Sequence, residues 1–144
     1  MITITPPASS IFHSTDSMIV IPVNCVGVMG KGLALEYAKR YPEGLEVYRN
    51  ACAVKAILPG RSYRFGRRVI FAATKCDWRN PSKLEWIVGC LKDILAISAL
   101  ADDASVAIPA LGCGLGGLDW ESFKVAAEMV LESSKAEFFL HPPH

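Results

Sequence analysis

Two glycine-rich segments, each preceded by a short apolar run and followed by a helical pattern, hold the residue types best suited to chemistry. The first is Asn24-Cys25-Val26-Gly27-Val28-Met29-Gly30-Lys31-Gly32. Glycines let backbone N–H groups approach an anion closely, and a helix starting near Lys31 adds about half a positive charge at its N-terminus. The segment is neither a Walker A loop nor a G-x-G-x-x-G fingerprint, and a plain strand-to-helix turn has the same look. The second segment repeats the arrangement: Val106-Ala107-Ile108-Pro109 leads into Gly112, Gly114, Gly116 and Gly117, with a helix opening at Asp119. In a doubly wound sheet, ligands sit beyond the carboxyl ends of the strands where the chain order reverses, so two such loops can face each other across one cleft that fits a pyrophosphate. A lysine, Lys75, follows a third apolar run, Val69 to Ala73. An amine at the edge of an apolar pocket can act as nucleophile or proton donor; elsewhere a lysine at a strand end is a solvated surface residue.

The elements that must position these loops follow from periodicity. Met18 to Val23 is an apolar, β-branched run of the kind buried on both faces, and Pro22 belongs at an edge, a bulge or the strand's last residues. Helical spacing follows in Leu33, Leu35, Tyr37 and Ala38, and again in Leu45, Val47 and Tyr48 after Pro42 and Glu43. Ser62 to Phe65 and Val69 to Ala73 read as strands around Gly66, and Ser82 to Leu100 as the longest helix. Val106 to Pro109 is a further strand, Asp119 caps a helix to about Ser133, and Glu137 to Leu140 closes the pattern as a strand. Ile2 to Thr5 and Ile11 to His13 are expected to add strands. The alternation predicts an α/β fold: a three-layer α/β/α sandwich with a mixed, largely parallel central sheet, one domain over 1–144.

Composition narrows the classes. The chain is 51% hydrophobic and 20% charged, ample for a core, and its net charge of +1 argues against a protein that coats nucleic acid through a broad basic face. Cys25, Cys52, Cys76, Cys90 and Cys113 are odd in number and form no C-x-x-C pair, which reads as reduced thiols. With no basic region followed by an apolar stretch at the amino terminus, the expected compartment is cytoplasmic. No apolar run is long enough for a membrane helix. His13, His141 and His144 lack metal-ligand spacing, so neither a metal nor a cofactor is expected. Cys113 has no His or acid partner in sequence and reads as loop packing. Arg61, Arg64, Arg67 and Arg68 are a solvated cluster around a hairpin or a contact for a nucleic-acid backbone.

In combination and order, VNCVGVMGKGLALEYAKRYP, FAATKCDWR and IPALGCGLGGLDW resemble the signature segments of macrodomains, modules that bind ADP-ribose. The similarity is strongest to the DarG type, which removes ADP-ribose from thymidine in DNA, and weaker to the terminal ADP-ribose protein glycohydrolase. The resemblance implies that Asn24 sits beside the distal ribose, and that Gly27, Val28, Met29, Gly30, Lys31 and Gly32 hold that ribose and the diphosphate. It implies that Gly112, Cys113, Gly114, Leu115 and Gly116 close the other side, that Thr74 joins the binding residues, and that Lys75 is catalytic with Asn24. Trp78 and Arg79 become candidates for base stacking and a phosphate contact, although Trp78 reads equally as core or cleft wall.

The chain departs from the pattern at several positions. Ser10 stands where many macrodomains carry an aspartate for the adenine amine, with Asp16 or a backbone carbonyl as substitutes. Ile21-Pro22 stands where relatives often have another Asn, Gly116 replaces the protein glycohydrolase's aspartate, and Cys76-Asp77 replaces two basic residues. The implied function is an ADP-ribosyl hydrolase acting on a modified base, thymidine in single-stranded DNA. The alternatives are a non-catalytic ADP-ribose reader and an enzyme acting on ADP-ribose 1''-phosphate or O-acetyl-ADP-ribose.

Overall fold

The computed structural model describes residues 1–6 and 10–143. Its elements run β1 (Ile2–Ile4), β2 (Met18–Val23), α1 (Gly32–Arg40), α2 (Pro42–Ala53), β3 (Ser62–Phe65), β4 (Val69–Ala73), α3 (Leu84–Ala99), β5 (Ser105–Pro109), α4 (Trp120–Leu131) and β6 (Glu137–His141). The strands form one sheet in the order β1-β6-β5-β2-β4-β3. Every neighbouring pair is parallel except β3 and β4, which form an antiparallel hairpin.

The period-2 alternation of the strands divides the core into two layers. Met18, Val20, Ile70, Ala72, Val106 and Ile108 point to one face, where Ile87, Leu91 and Ile94 of α3 and Phe123 and Leu131 of α4 cover them. Ile19, Ile21, Val23, Phe71, Ala73 and Ala107 point to the other, under Tyr37 of α1 and Tyr48 of α2. Full burial of each large side chain contributes about 1.5–3 kcal/mol, so both helical layers are fixed to the sheet largely by these contacts. The expected sandwich of helices on both faces of a mixed sheet is therefore present.

The helix boundaries follow from local chemistry. Pro42 starts α2, where its missing N–H is no loss, and the Asp119 carboxylate caps α4 by accepting from Ser122 N at 2.7 Å. One expectation fails. Ile11–His13 is a 3-10 turn, not a strand, closed by His13 N to Ser10 O and Ser14 N to Ile11 O, both at 3.2 Å. Ile11 is buried in the layer shared with Tyr37 and Tyr48, so the segment lies over a face of the sheet, where no strand edge is available to pair with its backbone.

Pro22 is the next-to-last residue of a central strand. It is in register with Ala72 of β4, whereas β2 pairs with β5 only through Met18 and Ile19. A proline cannot donate to prolong a ladder, and Pro22 and Pro109 both stand beyond the last β2–β5 pair. The two strands consequently part toward their carboxyl ends.

Candidate functional site

A cleft of about 770 Å³ opens where β2 and β5 part, a volume within the roughly 300–1,000 Å³ of small-molecule sites. Its place is set by topology. After β2 the chain turns to α1 on one face, and after β5 it turns toward α4 on the other, so the two loops diverge around a crevice at the switch point.

The first wall is the loop after β2. Asn24 is 6% exposed, and its side chain organises the turn. Its Oδ1 accepts from the amides of Val26 at 3.1 Å, Gly27 at 3.1 Å and Val28 at 3.3 Å, while its Nδ2 donates to Val28 O at 2.7 Å. From below, Tyr48 OH approaches Oδ1 at 2.7 Å and Asn24 O at 2.9 Å. Burial pushes the Tyr48 phenol well above its ordinary range, so the group stays protonated and able to donate. One Nδ2 hydrogen of Asn24 remains beyond these bonds, and Asn24 lines the cleft. Beyond the turn, Gly32, Leu33 and Ala34, the first three residues of α1, also line it, and they carry amides with no carbonyl a turn earlier in the helix to accept them. The positive end of α1 and the ammonium groups of Lys31 and Lys75 therefore face one space, in which Glu36 is the only carboxylate among the described lining residues.

The second wall is the loop after β5, a 3-10 turn at Gly114–Gly116. Gly112 has φ +77°, and a Cβ there would stand 2.7 Å from Leu118 Cδ1 and 3.0 Å from Ile87 Cδ1. Glycine is required by both conformation and space. Burial pushes the Cys113 thiol up, which leaves it protonated and unsuited to nucleophilic attack.

Lys75 joins the walls. It follows β4 on the far side of β2, and its Nζ donates to Leu115 O at 3.1 Å and to Trp78 O at 3.3 Å. An ammonium has three hydrogens, so one is left for a ligand. Trp78 is 49% exposed and lines the cleft, which makes it wall and not core. The Arg79 guanidinium lies over the Trp78 ring, 5.6 Å from its centroid, and pairs with Asp77 at 2.7 Å. Arg79, hydrogen-bonded to both Asp77 oxygens, holds that carboxyl down at about 2, below the usual carboxylate range.

Of the residues singled out in the sequence, the cleft gathers Ser10, Asn24, Val28, Gly30, Lys31, Gly32, Thr74, Lys75, Trp78, Gly112, Cys113, Gly114, Leu115 and Gly116. It does not gather three others. Met29 is buried in the core beneath α1 and α2, and Gly27 faces α2, where a Cβ would meet Cys52 at 3.6 Å. Arg79 is occupied at the rim by Asp77 and Trp78. Asp16 is bonded to Ser14 and is not among the residues that line the cleft. In the basic cluster, Arg61 pairs with Asp93 and Arg68 donates to Ser14 O. Lining residues that sequence reasoning missed include Ser82, Glu36, His141 and Pro142. Glu36 lies one turn into α1 and was legible from helical spacing, whereas nothing local marks Ser82 or the residues after β6. His144 lies outside the described residues. Among the described residues no cluster of His, Cys, Asp and Glu suits a metal ion, and no helix is long and apolar enough to cross a membrane. The five cysteines are free thiols.

A crevice at the carboxyl ends of a mixed sheet, walled by two glycine-rich loops, defines an α/β module with a ligand-sized cleft at its switch point. The Macro domain family model matches residues 20–127, and the chain belongs to the macrodomain family. It is 39% identical over 125 residues, 82% of its length, to the DNA ADP-ribosyl glycohydrolase of Mycobacterium tuberculosis, of which it covers 36%. The chain thus spans little more than a third of that relative. Among solved structures it is similar to the macrodomain of M. tuberculosis DarG, with TM-score 0.87, 35% identity and coverage of 100% of this chain and 99% of that one. For the macrodomain of Thermus aquaticus DarG the TM-score is 0.89, at 30% identity and 99% coverage of both chains. Thermosipho africanus DarTG in complex with ADP-ribose matches with TM-score 0.83 and 28% identity over 93% of this chain and 40% of that one.

Proposed function

We infer that this macrodomain binds ADP-ribose in the β2–β5 cleft and hydrolyses the bond joining it to a modified base, thymidine in single-stranded DNA. The carrying observation is the Lys75 amine, held by Leu115 O at 3.1 Å where the two loops meet. The similarity to DNA ADP-ribosyl glycohydrolases and to a DarTG solved with ADP-ribose supports the ligand and the reaction class.

In this reading the diphosphate lies on the amides of Gly30, Gly32 and Leu33, with Lys31 beside it. Gly112 to Gly116 cover the distal ribose, whose anomeric carbon faces Lys75. The bond from that carbon to the base nitrogen breaks, water supplies the new hydroxyl, and the base leaves with a proton. Fixing the diphosphate keeps the reacting carbon within reach of the amine, where orientation alone is worth several powers of ten in rate. The amine acts in one of two ways. It donates the leaving base's proton, or, deprotonated, it displaces the base to give a glycosylamine whose sugar ring opens to an imine that water then cleaves. Trp78 at the cleft mouth offers the ring face not covered by Arg79 to the departing base or a neighbouring one. Ser10, on the opposite side of the sequence motif from Lys75, takes the adenine end.

The test compares wild type and Lys75→Ala on an oligonucleotide carrying ADP-ribosylated thymidine, with calorimetry of free ADP-ribose alongside. Release by wild type, loss of at least about 100-fold in Lys75→Ala and near-equal binding by both are expected. Binding without release by wild type refutes the hydrolase and leaves a reader. Borohydride trapping of a covalent adduct separates the imine route from proton donation.

A further inference from the structure

Ser82, which precedes α3, is 7% exposed, and its Oγ is enclosed with no hydrogen-bond partner among the described residues. Its amide is spent on Gly116 O at 2.9 Å, so the backbone is satisfied and only the hydroxyl is idle. The surroundings of that hydroxyl are specific. A Cβ built on Gly116 would stand 2.8 Å from Ser82 Oγ and 3.9 Å from Lys75 Cε. Ser82 Oγ and the end of Lys75 therefore both lie close to the point that a side chain on Gly116 would occupy, and only glycine leaves that point to them.

A buried hydroxyl without a partner destabilises a fold, and an apolar residue of the same shape does better in its place. A second arrangement in which the hydroxyl is used would offset that cost. Lysine has donors only, serine can accept, and the amine's present acceptors are two loop carbonyls of Trp78 and Leu115. Leu115 and Gly116 lie between Gly114 at φ +67° and Gly117 at φ +82°, and both line the cleft.

We propose that Ser82 is a positioning residue for Lys75: once a ligand draws the Leu115 carbonyl aside, the Ser82 hydroxyl accepts a hydrogen bond from the amine and holds it at the sugar end of the cleft. This rests on the reading of Lys75 as the reacting group. Gly116 has to be glycine for the exchange to occur, since a Cβ there would stand 2.8 Å from the Ser82 hydroxyl and push it away.

Ser82→Ala tests it, because losing an unpartnered group should leave the melting temperature unchanged or raised. On the ADP-ribosylated thymidine oligonucleotide, kcat is expected to fall about 10- to 100-fold, with KM and ADP-ribose affinity within about twofold of wild type. In a Lys75→Ala background the same change should cost nothing further. A variant with wild-type kcat overturns the proposal while leaving Lys75 intact. A second readout is independent of turnover: the Lys75 Cε resonance in lysine-labelled protein saturated with ADP-ribose, assigned with Lys75→Arg. A displaced resonance in Ser82→Ala supports the contact even if no release is seen with wild type, in which case only the hydrolase reading fails. An unmoved resonance overturns the contact.

Discussion

Replacing Asn24 by alanine removes the acceptor for three backbone amides and the donor to Val28 O in one step. Each net hydrogen bond contributes about 1 kcal/mol, but the three amides share one oxygen, and water can reach the exposed Val26 and Val28. Tyr48 keeps an acceptor in Asn24 O at 2.9 Å, so its buried hydroxyl is not orphaned. The expected cost is about 2–3 kcal/mol, or roughly 5–10 °C in Tm for a chain of this size. Urea denaturation followed by far-ultraviolet circular dichroism measures it. Asn24→Asp separates scaffold from charge. It keeps an acceptor for the amides but sets a carboxylate oxygen against Val28 O, and should cost about 1–2 kcal/mol. Its negative charge in the cleft, on the same loop as the amides proposed to hold the diphosphate, should weaken ADP-ribose binding by about 10- to 100-fold. If Asn24→Ala unfolds within about 0.5 kcal/mol of wild type, the side chain does not hold the loop and the construction of the first wall is wrong.

Gly89→Ala in α3 drives a methyl into the Gly60 carbonyl, which is backbone and cannot step aside; it should destabilise by about 2–4 kcal/mol, measured by denaturant titration, and a loss under about 0.5 kcal/mol refutes the contact. Asp77 has its folded pKa lowered from 3.8 to about 2 by Arg79, so the order it gives its loop is complete above pH 4 and lost as pH falls toward 2. A carboxyl-carbon NMR titration should find a midpoint near 2, returning toward 3.8 in Arg79→Ala; a wild-type midpoint near 3.8 rejects the pairing. In iodoacetamide labelling at pH 8 followed by mass spectrometry, exposed Cys76 reacts first, while Cys25 and Cys90, whose thiols burial pushes up to about 12, resist. Early labelling of Cys90 would contradict the packing of α3 on the sheet.

Legibility of the fold tracked how local its cause was. β3, β4 and the capped start of α4 were readable because alternation, a turn glycine and an N-cap aspartate act over a few residues. Ile11–His13 misled because a β-branched residue beside an aromatic has strand propensity, while burial of Ile11 over the sheet face decided the outcome. In the site, the glycines were visible as types but not as directions. Gly27 and Gly30 are three residues apart in one loop, yet the first faces α2 and the second the cleft, a difference set by the Asn24 bonds. Ser82 was invisible because its importance lies in its nearness to Gly116, 34 residues on, which only the packing of α3 against the second loop creates.

The way β2 and β5 part explains why a cleft exists here, but Lys75 explains why it is closed as it is. The lysine is carried by β4, which lies on the far side of β2 from β5, so its amine must cross the end of β2 to reach Leu115. That bond ties the third loop to the second across the cleft, while the bond to Trp78 O stays within the third loop. In the proposed reaction this amine both reacts and latches, so it must change partners during each cycle, and it can do so cheaply only if a replacement acceptor stands nearby. Ammonium hydrogen bonds to carbonyls are worth about 1.5–3 kcal/mol, enough to slow turnover by ten- to a hundredfold if they were lost with nothing gained. The proposed role of Ser82 would offset that penalty, and it links the glycine at residue 116, the serine beside it and the lysine into one device.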